Sequence, residues 1–384
     1  MPWTERTRER ARLSFTADVE RGYYSMTELC ARHGVSRKTG YKWADRYCRE
    51  GIEGLQDRSR APKSCPHRTP DWIVEEIVEG RRLHPTWGAK KLLWLLQRRF
   101  PERERWPSRT TITNVLERHG LTQKKKRVRR SEHPGRPLVD PVSPNEVWAA
   151  DFKGQFRTQD RRWLYPLTVT DSYSRYLLEC RGVPSTAHHI AKPVFERLFR
   201  EFGLPGAILT DNGVPFSSVG LGRLSRLSVW WIRQGIVPIL IEPGHPEQNG
   251  RHERMHRTLK VEATTPPKGN RSAQQRELNR FRREYNEERP HEGLGMQLPA
   301  DLYQPSPTEY RSRLPRVEYP EHFEVRKVSS GGGIKWNDEY LYVGQALGGE
   351  YVGFQAVDEG IWAIYFSFMP LGYFDQIQWR IDPC

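Results

Sequence analysis

The sequence predicts a multidomain chain: all-α units at the N-terminus, an α/β core on a mixed sheet, and a small all-β module at the C-terminus. Three observations predict it. Helical apolar spacing with serine caps recurs before residue 125. From Asn145 it gives way to short apolar runs alternating with helical segments. Beyond residue 320, short strand-like runs alternate with turn signals at Asn337-Asp338, Gly348-Gly349 and Asp358-Glu359-Gly360. A length of 384 residues fits several domains. The expected segments are a helix-turn-helix domain over 1–60, a second over 66–125, and a basic Pro-rich linker over 126–144. An α/β core over 145–300, a linker over 301–320 with four prolines, and a β domain over 321–384 follow.

In the first unit, Thr27 is expected to cap the segment TELCARH and Gly34 to make a tight turn. Ser36 caps a second helix running to about Tyr47. Small Cys30, four residues before Gly34, lets two helices cross closely, as a helix-turn-helix requires. Arg37, Lys38 and Lys42 on the second helix would face DNA phosphates or base edges. Gly40 stands where an apolar core residue is usual, which weakens that helix. The plain alternative is an αα-hairpin.

The second unit follows a Pro/Ser/Arg-rich link over 57–70. Trp72, Ile73, Ile77 and Val78 form one apolar helix face, and Leu92, Leu93, Leu95 and Leu96 another. Ser108 caps a third helix with Ile112, Val115 and Leu116 inward and Gly120 as its stop. This again reads as a helix-turn-helix, against the alternative of a packing spacer.

Charge points the same way. Lys plus Arg number 62 and Asp plus Glu 47, a net +15. Residues 318–384 hold 4 basic and 10 acidic side chains, net −6, so the first 317 residues carry +15 + 6 = +21. Such an excess implies a polyanionic partner. The densest run is Lys124, Lys125, Lys126, Arg127, Arg129 and Arg130, read as a tether crossing a phosphate backbone. A membrane is excluded as partner: Ile361 to Phe374 is broken by Pro370 and Gly372 and falls short of the ~20 residues of a spanning helix. The N-terminus, charged from Glu5, is no secretory signal. Five scattered cysteines without a CxxC exclude a disulfide framework and a Cys-rich zinc site, and fit a reducing cytosol.

The core reads as βββαβαβα. Strands are expected over Val147–Phe152, Trp163–Thr170, Tyr176–Cys180, Ala207–Thr210 and Ile236–Ile241. Helices are expected over His188–Phe202, around Leu221–Gln234, and through Glu253 to about Val261. Two aspartates, Asp151 and Asp211, sit at strand ends. Glu253 lies in the first turns of a helix after a Gly-containing loop. With 59 and then 41 residues between them, these acids form no local salt bridges. If the strands of Asp151 and Asp211 are neighbours, the carboxylates converge and need cations. Two Mg²⁺ or Mn²⁺ ions suit hard oxygen ligands and serve phosphodiester chemistry, while the Cys/His spacing for zinc is missing.

WAADFKG, LTDNGVPF and HPEQNGRHERMHRTLK resemble the three acidic motifs of the retroviral-integrase-like DDE transposases, most of all those of bacterial insertion sequences. The likeness extends from about residue 5 to the C-terminus. It implies helix-turn-helix units, an RNase H-like catalytic core and a small SH3-like β module. It implies a polynucleotidyl transferase that binds terminal inverted repeats, cleaves the element ends and joins 3′-hydroxyls to target DNA. Its metal-binding catalytic residues would be Asp151, Asp211 and Glu253. The motif makes Glu253, three residues after Asn249-Gly250, the third acid rather than Glu247. The interval from Asp211 to Glu253 is longer than is common in the family, and the extra residues are expected around Leu221 to Trp231.

The resemblance also implies a homo-oligomer on DNA, dimer or tetramer, working in the bacterial cytoplasm at the nucleoid. Two Mg²⁺ ions, replaceable by Mn²⁺, would be the cofactor. Arg257 and Lys260, four and seven residues after Glu253, share its helix face and would hold end phosphates. Asp171 is read as hairpin-turn chemistry. His245 is read as an orderer of the loop, and His252 and His256 are not ligands in the family. The acidic β module fits a protein–protein role. The alternatives are a nuclease on the same core and a DNA-binding repressor with a decayed core.

Overall fold

The computed structural model describes residues 8–59, 68–122 and 138–383. The basic run Lys124, Lys125, Lys126, Arg127, Arg129 and Arg130, and most of the Pro/Ser/Arg-rich link, lie outside the described residues. The chain divides into two compact units, Met1–Pro70 and Asp71–Cys384.

Among the described residues the first unit has three α-helices, α1 (Arg8–Arg21), α2 (Met26–Arg32) and α3 (Arg37–Glu50), and a 3₁₀ turn over Gly51–Leu55. The cap of α2 is Ser25, not Thr27. Ser25 and Glu28 form a reciprocal capping box, which outcompetes a threonine without a glutamate three residues on. Ser36 caps α3 as expected, and Gly34 takes a left-handed φ of 63° between the helices. Helix α1 had no sequence expectation. Its buried Arg12 donates to the Leu55 carbonyl at 2.7 Å, pairs with Asp57 and lies 3.9 Å over Trp43. Gly40 is not a weak point. It is buried where α3 crosses α2, and a Cβ there would collide with Cys30 Sγ and come within 3.0 Å of Phe15.

The second unit opens with α4 (Asp71–Leu83), α5 (Ala89–Arg99) and α6 (Arg109–Arg118), packed around Ile77, Leu92 and Ile112. Trp72 is 41% exposed, so the inward face of α4 is narrower than expected. Trp72 instead meets Phe100 edge-to-face at 5.4 Å, and Arg103 covers it. Ser108 caps α6, and Gly120 follows it at φ 67°.

The core sheet contains β1 (Val147–Phe152), β2 (Phe156–Arg157), β3 (Trp163–Asp171), β4 (Leu177–Val183), β5 (Ala207–Thr210) and β6 (Val237–Leu240). Strand β1 is central: antiparallel to β3, which carries β2 and β4, and parallel to β5, itself parallel to β6. One face packs Trp148, Ala150 and Leu167 against α7 (His188–Phe202) and α8 (Arg226–Arg233). The other packs Leu164, Leu177 and Cys180 against α9 (Gly250–Leu259) and α10 (Arg271–Glu287). Helix α9 continues as a π-helical turn, Lys260–Thr264. Asn286 on α10 satisfies both backbone groups of Leu177, which fixes α10 to β4.

The C-terminal module is all-β. Strands β7 (Glu324–Lys327), β10 (Tyr351–Asp358), β11 (Ile361–Phe366), β12 (Met369–Asp375) and β13 (Arg380–Pro383) form one antiparallel sheet in that order. A hairpin of β8 (Gly333–Trp336) and β9 (Glu339–Tyr342) adds two strands to the five expected, turning at Asn337-Asp338, both with positive φ. Its core, around Trp336, Phe354 and Phe374, extends onto Leu224, Val229 and Ile232 of the α/β core. The region of the expected insertion thus carries a short 3₁₀ turn, Leu221–Arg223, that packs against this module rather than one long helix.

Candidate active site

The two aspartates meet because of strand pairing. In parallel strands β1 and β5 the last matched residues are Ala150 and Thr210, and an aspartate follows each. Parallel strands end at the same edge, so Asp151 and Asp211 emerge side by side, where α/β sheets hold their ligands. Asp211 Oδ1 accepts from the Gly213 amide at 3.1 Å. A Cβ on Gly213 would lie 3.0 Å from Asp211 Oδ2, so the glycine leaves that carboxylate its place. Asn212 donates to the Ile241 carbonyl at 2.8 Å and ties the loop to the end of β6.

Glu253 comes from α9 and is exposed. The Asp151 carboxyl is pushed up to about 7, first by burial, then by the charge of Asp211, with Glu253 adding to it. The structure therefore brings the three acids into one electrostatic neighbourhood. Glu247 does not join them: its carboxylate accepts from His245 Nδ1 at 2.7 Å in the preceding loop.

Helix α9 is seated by polar contacts that the sequence reading passed over. Asp151 and Thr168 are cross-strand partners, as are Ala149 and Thr170. His252 and His256, one turn apart on α9, sit over the two threonines. Thr168 Oγ1 lies 2.8 Å from His252 Nε2 and 2.7 Å from His256 Nε2, and donates to the Asp151 carbonyl at 3.1 Å. Thr170 Oγ1 meets His252 Nδ1 at 2.9 Å. A hydroxyl has one proton. With that of Thr168 given to Asp151, both imidazoles donate Nε2–H to Thr168. Burial holds both rings neutral, lowering His252 and pushing His256 down to about 3.

The His256 Nδ1 lone pair then faces Asp151 Oδ2 at 3.6 Å. Asp151, His252 and His256 offer ligand atoms within 4.8 Å of one another. Both ring nitrogens of His252 are already engaged by threonines, so Asp151 and His256 Nδ1 are the free pair. The sequence signal was present: two histidines at i, i+4 opposite Glu253, and two threonines alternating along an apolar strand.

Asp171 is turn chemistry, as expected. Wholly buried, it accepts from the Ser174 amide at 2.7 Å and the Asn145 amide at 2.8 Å. Arg257 and Lys260 are exposed, like Glu253, while Met255, His256 and Leu259 face inward. In the first unit Arg37, Lys38 and Lys42 are exposed on α3, and Lys42 lies 4.7 Å over the Trp43 ring. Among the described residues no helix is long and apolar enough to cross a membrane.

Two models of the integrase core domain match residues 141–246 and 234–299, and two homeodomain-like models match 6–56 and 39–116. The chain is 29% identical over 264 residues to the insertion element IS476 uncharacterized 39.2 kDa protein of Xanthomonas euvesicatoria, spanning 67% of this chain and 71% of that one. It is 25% identical over 239 residues to the insertion element IS407 uncharacterized 31.7 kDa protein of Burkholderia multivorans, spanning 62% and 82%. The HTLV-2 integrase catalytic core domain matches 42% of this chain and 99% of its own at 14% identity and a TM-score of 0.32. The fold, the matched domains and the relatives define an integrase-core polynucleotidyl transferase with helix-turn-helix units. The integrase core and homeodomain-like domains and the two insertion-element relatives together support an insertion-sequence transposase of the retroviral-integrase-like superfamily.

Proposed function

We propose that this chain recognises the terminal inverted repeats of its own insertion element, cleaves at the element ends, and joins the freed 3′-hydroxyls to target DNA by transesterification. The observation that carries this reading is the half-buried Asp151, whose carboxyl is pushed up to about 7 by desolvation and by the charges of Asp211 and Glu253. Clustered carboxylates without a basic partner repel one another, and a divalent cation relieves the repulsion. The donor set fits Mg²⁺ or Mn²⁺: hard oxygens from Asp151, Asp211 and Glu253, with the neutral His256 Nδ1 beside them. Two such ions, when bound, would activate the attacking oxygen and stabilise the leaving one.

The protein's own groups supply position. Thr168 clamps the Asp151 backbone, and His252 and His256 seat the helix that carries Glu253. Arg257 and Lys260 would hold end phosphates. Arg37, Lys38 and Lys42 would meet the repeat, with Lys124, Lys125, Lys126, Arg127, Arg129 and Arg130 on the backbone beyond it. Domain limits at 1–60, 66–125, 145–300 and 321–384, assembly as a dimer or tetramer on DNA, and work in the cytoplasm at the nucleoid belong to the same reading.

The test is cleavage of a labelled element end in Mg²⁺ by Asp151→Asn, Asp211→Asn and Glu253→Gln. Each should lose cleavage while end binding persists. Cleavage at the normal rate by any one of them would remove that residue from the site.

A further inference from the structure

A second constellation of charge lies beside the carboxylates, on the neighbouring side of α9. A cavity of about 430 Å³ opens between α5, the start of α9 and the segment after α10. Five cations line it: Lys91 from α5, Arg175 from the β3–β4 turn, Arg251 and Arg254 from α9, and Arg289 after α10. Two have partners. Arg251 pairs with Asp140 at 2.6 Å and Arg289 with Glu262 at 2.5 Å. Lys91, Arg175 and Arg254 pair with no carboxylate among the described residues; Arg175 donates only to the Ser172 carbonyl at 2.9 Å. Glu292, at the rim, is taken by Lys90 at 2.6 Å.

The walls also hold an unanswered polar atom. His291 Nε2 is buried and without a hydrogen-bond partner. Burial pushes Lys91 down to about 7 and Arg175 to about 10, with the neighbouring arginines adding to both. Three unpaired cations and an orphaned imidazole nitrogen around one cavity form a site whose own charge opposes its assembly. An anion there would answer the three cations, and arginine forks with a lysine match the oxygens of a phosphate.

We propose that this cavity is a phosphate site that receives one backbone phosphodiester of DNA and fastens the duplex beside the carboxylate cluster. The inference rests on the DNA-joining reading for the source of the phosphate, but not for the site itself. It is distinct from the Arg257 and Lys260 face, which borders Glu253.

The experiment uses the full chain and the double variant Lys91→Gln/Arg254→Gln, with two probes. Inorganic phosphate against chloride at equal ionic strength should raise the Tm of the wild-type protein. The variant should melt no lower than wild type in chloride, because it loses self-repulsion, and should lose the phosphate response. Duplex DNA of arbitrary sequence is then bound across a salt series. The variant's log–log salt slope should be shallower by about one, the share of one phosphate.

Loss of both responses supports the proposal. A variant that keeps the phosphate response, or a wild type that has none, overturns the site. Loss of the phosphate response with an unchanged DNA slope overturns the DNA assignment and leaves a site for free phosphate. Because neither probe needs element ends or catalysis, failure here is separable from failure of the transposition reading.

Discussion

Ala150 and Thr210 are matched residues of adjacent parallel strands, and each is followed by an acid of the candidate site, Asp151 or Asp211. Everything else in the site is arranged around that pair. Strand β3 presents Thr168 opposite Asp151, and α9 lays His256 and His252 over β3, so Glu253 arrives on a helix whose inward face is held by hydrogen bonds.

The choice of third acid has a direct test. Glu253→Gln should abolish cleavage and joining, and Glu247→Gln should change them less than tenfold, because Glu247 is spent on His245. End cleavage by both variants, measured side by side, decides it. An inactive Glu247→Gln with an active Glu253→Gln reverses the assignment.

The His–Thr seat should matter for stability as well as activity. Thr168→Val keeps the shape but removes the oxygen shared by His252, His256 and the Asp151 carbonyl. Leaving buried polar groups unanswered costs about 1–3 kcal/mol each. With two imidazole N–H groups left unanswered, urea unfolding should show a loss of roughly 2–6 kcal/mol, and metal-dependent cleavage should weaken with it. Unchanged stability would mean that the imidazoles find other partners.

A pH dependence follows from Asp151. Its folded-state carboxyl sits at about 7, above the ordinary 3.8, so the native state holds a proton that the unfolded chain has lost. Without metal, stability contributed at this site is therefore greatest below pH 4 and falls as pH rises toward 7. A divalent cation must displace that proton. Mg²⁺ affinity should rise about tenfold per pH unit up to 7 and level off above it. Calorimetric Mg²⁺ titrations between pH 5 and 8.5 measure this. An affinity flat across that range would mean that Asp151 is ionised before the metal arrives.

Gly40 gives a test remote from catalysis. Gly40→Ala places a methyl against Cys30 and Phe15, and overpacking costs about 1–3 kcal/mol, which alanine's better helix propensity offsets by about 1. The full chain should lose stability in its first unit and bind element ends less tightly. Cys30→Gly in the same chain should restore part of the loss.

Arg257 and Lys260 are expected to act on phosphates rather than bases. Arg257→Ala/Lys260→Ala should flatten the salt dependence of end binding by about one log–log unit per lost contact, with base preference intact. An unchanged slope with normal joining would return this face to solvent.

Much of this site was legible in the sequence. Acids at strand ends, on elements bounded by Asn-Gly turns, announce themselves by local chemistry, whereas the parallel pairing of their strands is seen only in the fold. The seat of α9 was not legible, because His252 and His256 acquire their meaning from Thr168 and Thr170, more than 80 residues away. Helix α1 escaped because Arg12, which charge patterning counts as surface, is buried there beside Phe15 and Thr16. Trp72 erred the other way: its spacing is inward, but its ring is held outside by Phe100 and Arg103. The capping of α2 depended on recognising Glu28 as the partner of Ser25. The phosphate cavity draws its cations from four separate segments, so no local run of charge marks it.

Asp151, Asp211 and Glu253 are proposed to carry the joining of DNA strands. The most direct measurement is strand transfer: pre-cleaved, labelled element ends with a free 3′-hydroxyl, a supercoiled target plasmid and Mg²⁺. The account predicts covalently joined products from the wild-type protein, none from Asp151→Asn, and none when the metal is chelated. Target nicking without joining, or end binding that is indifferent to Mg²⁺ and never followed by chemistry, would contradict it.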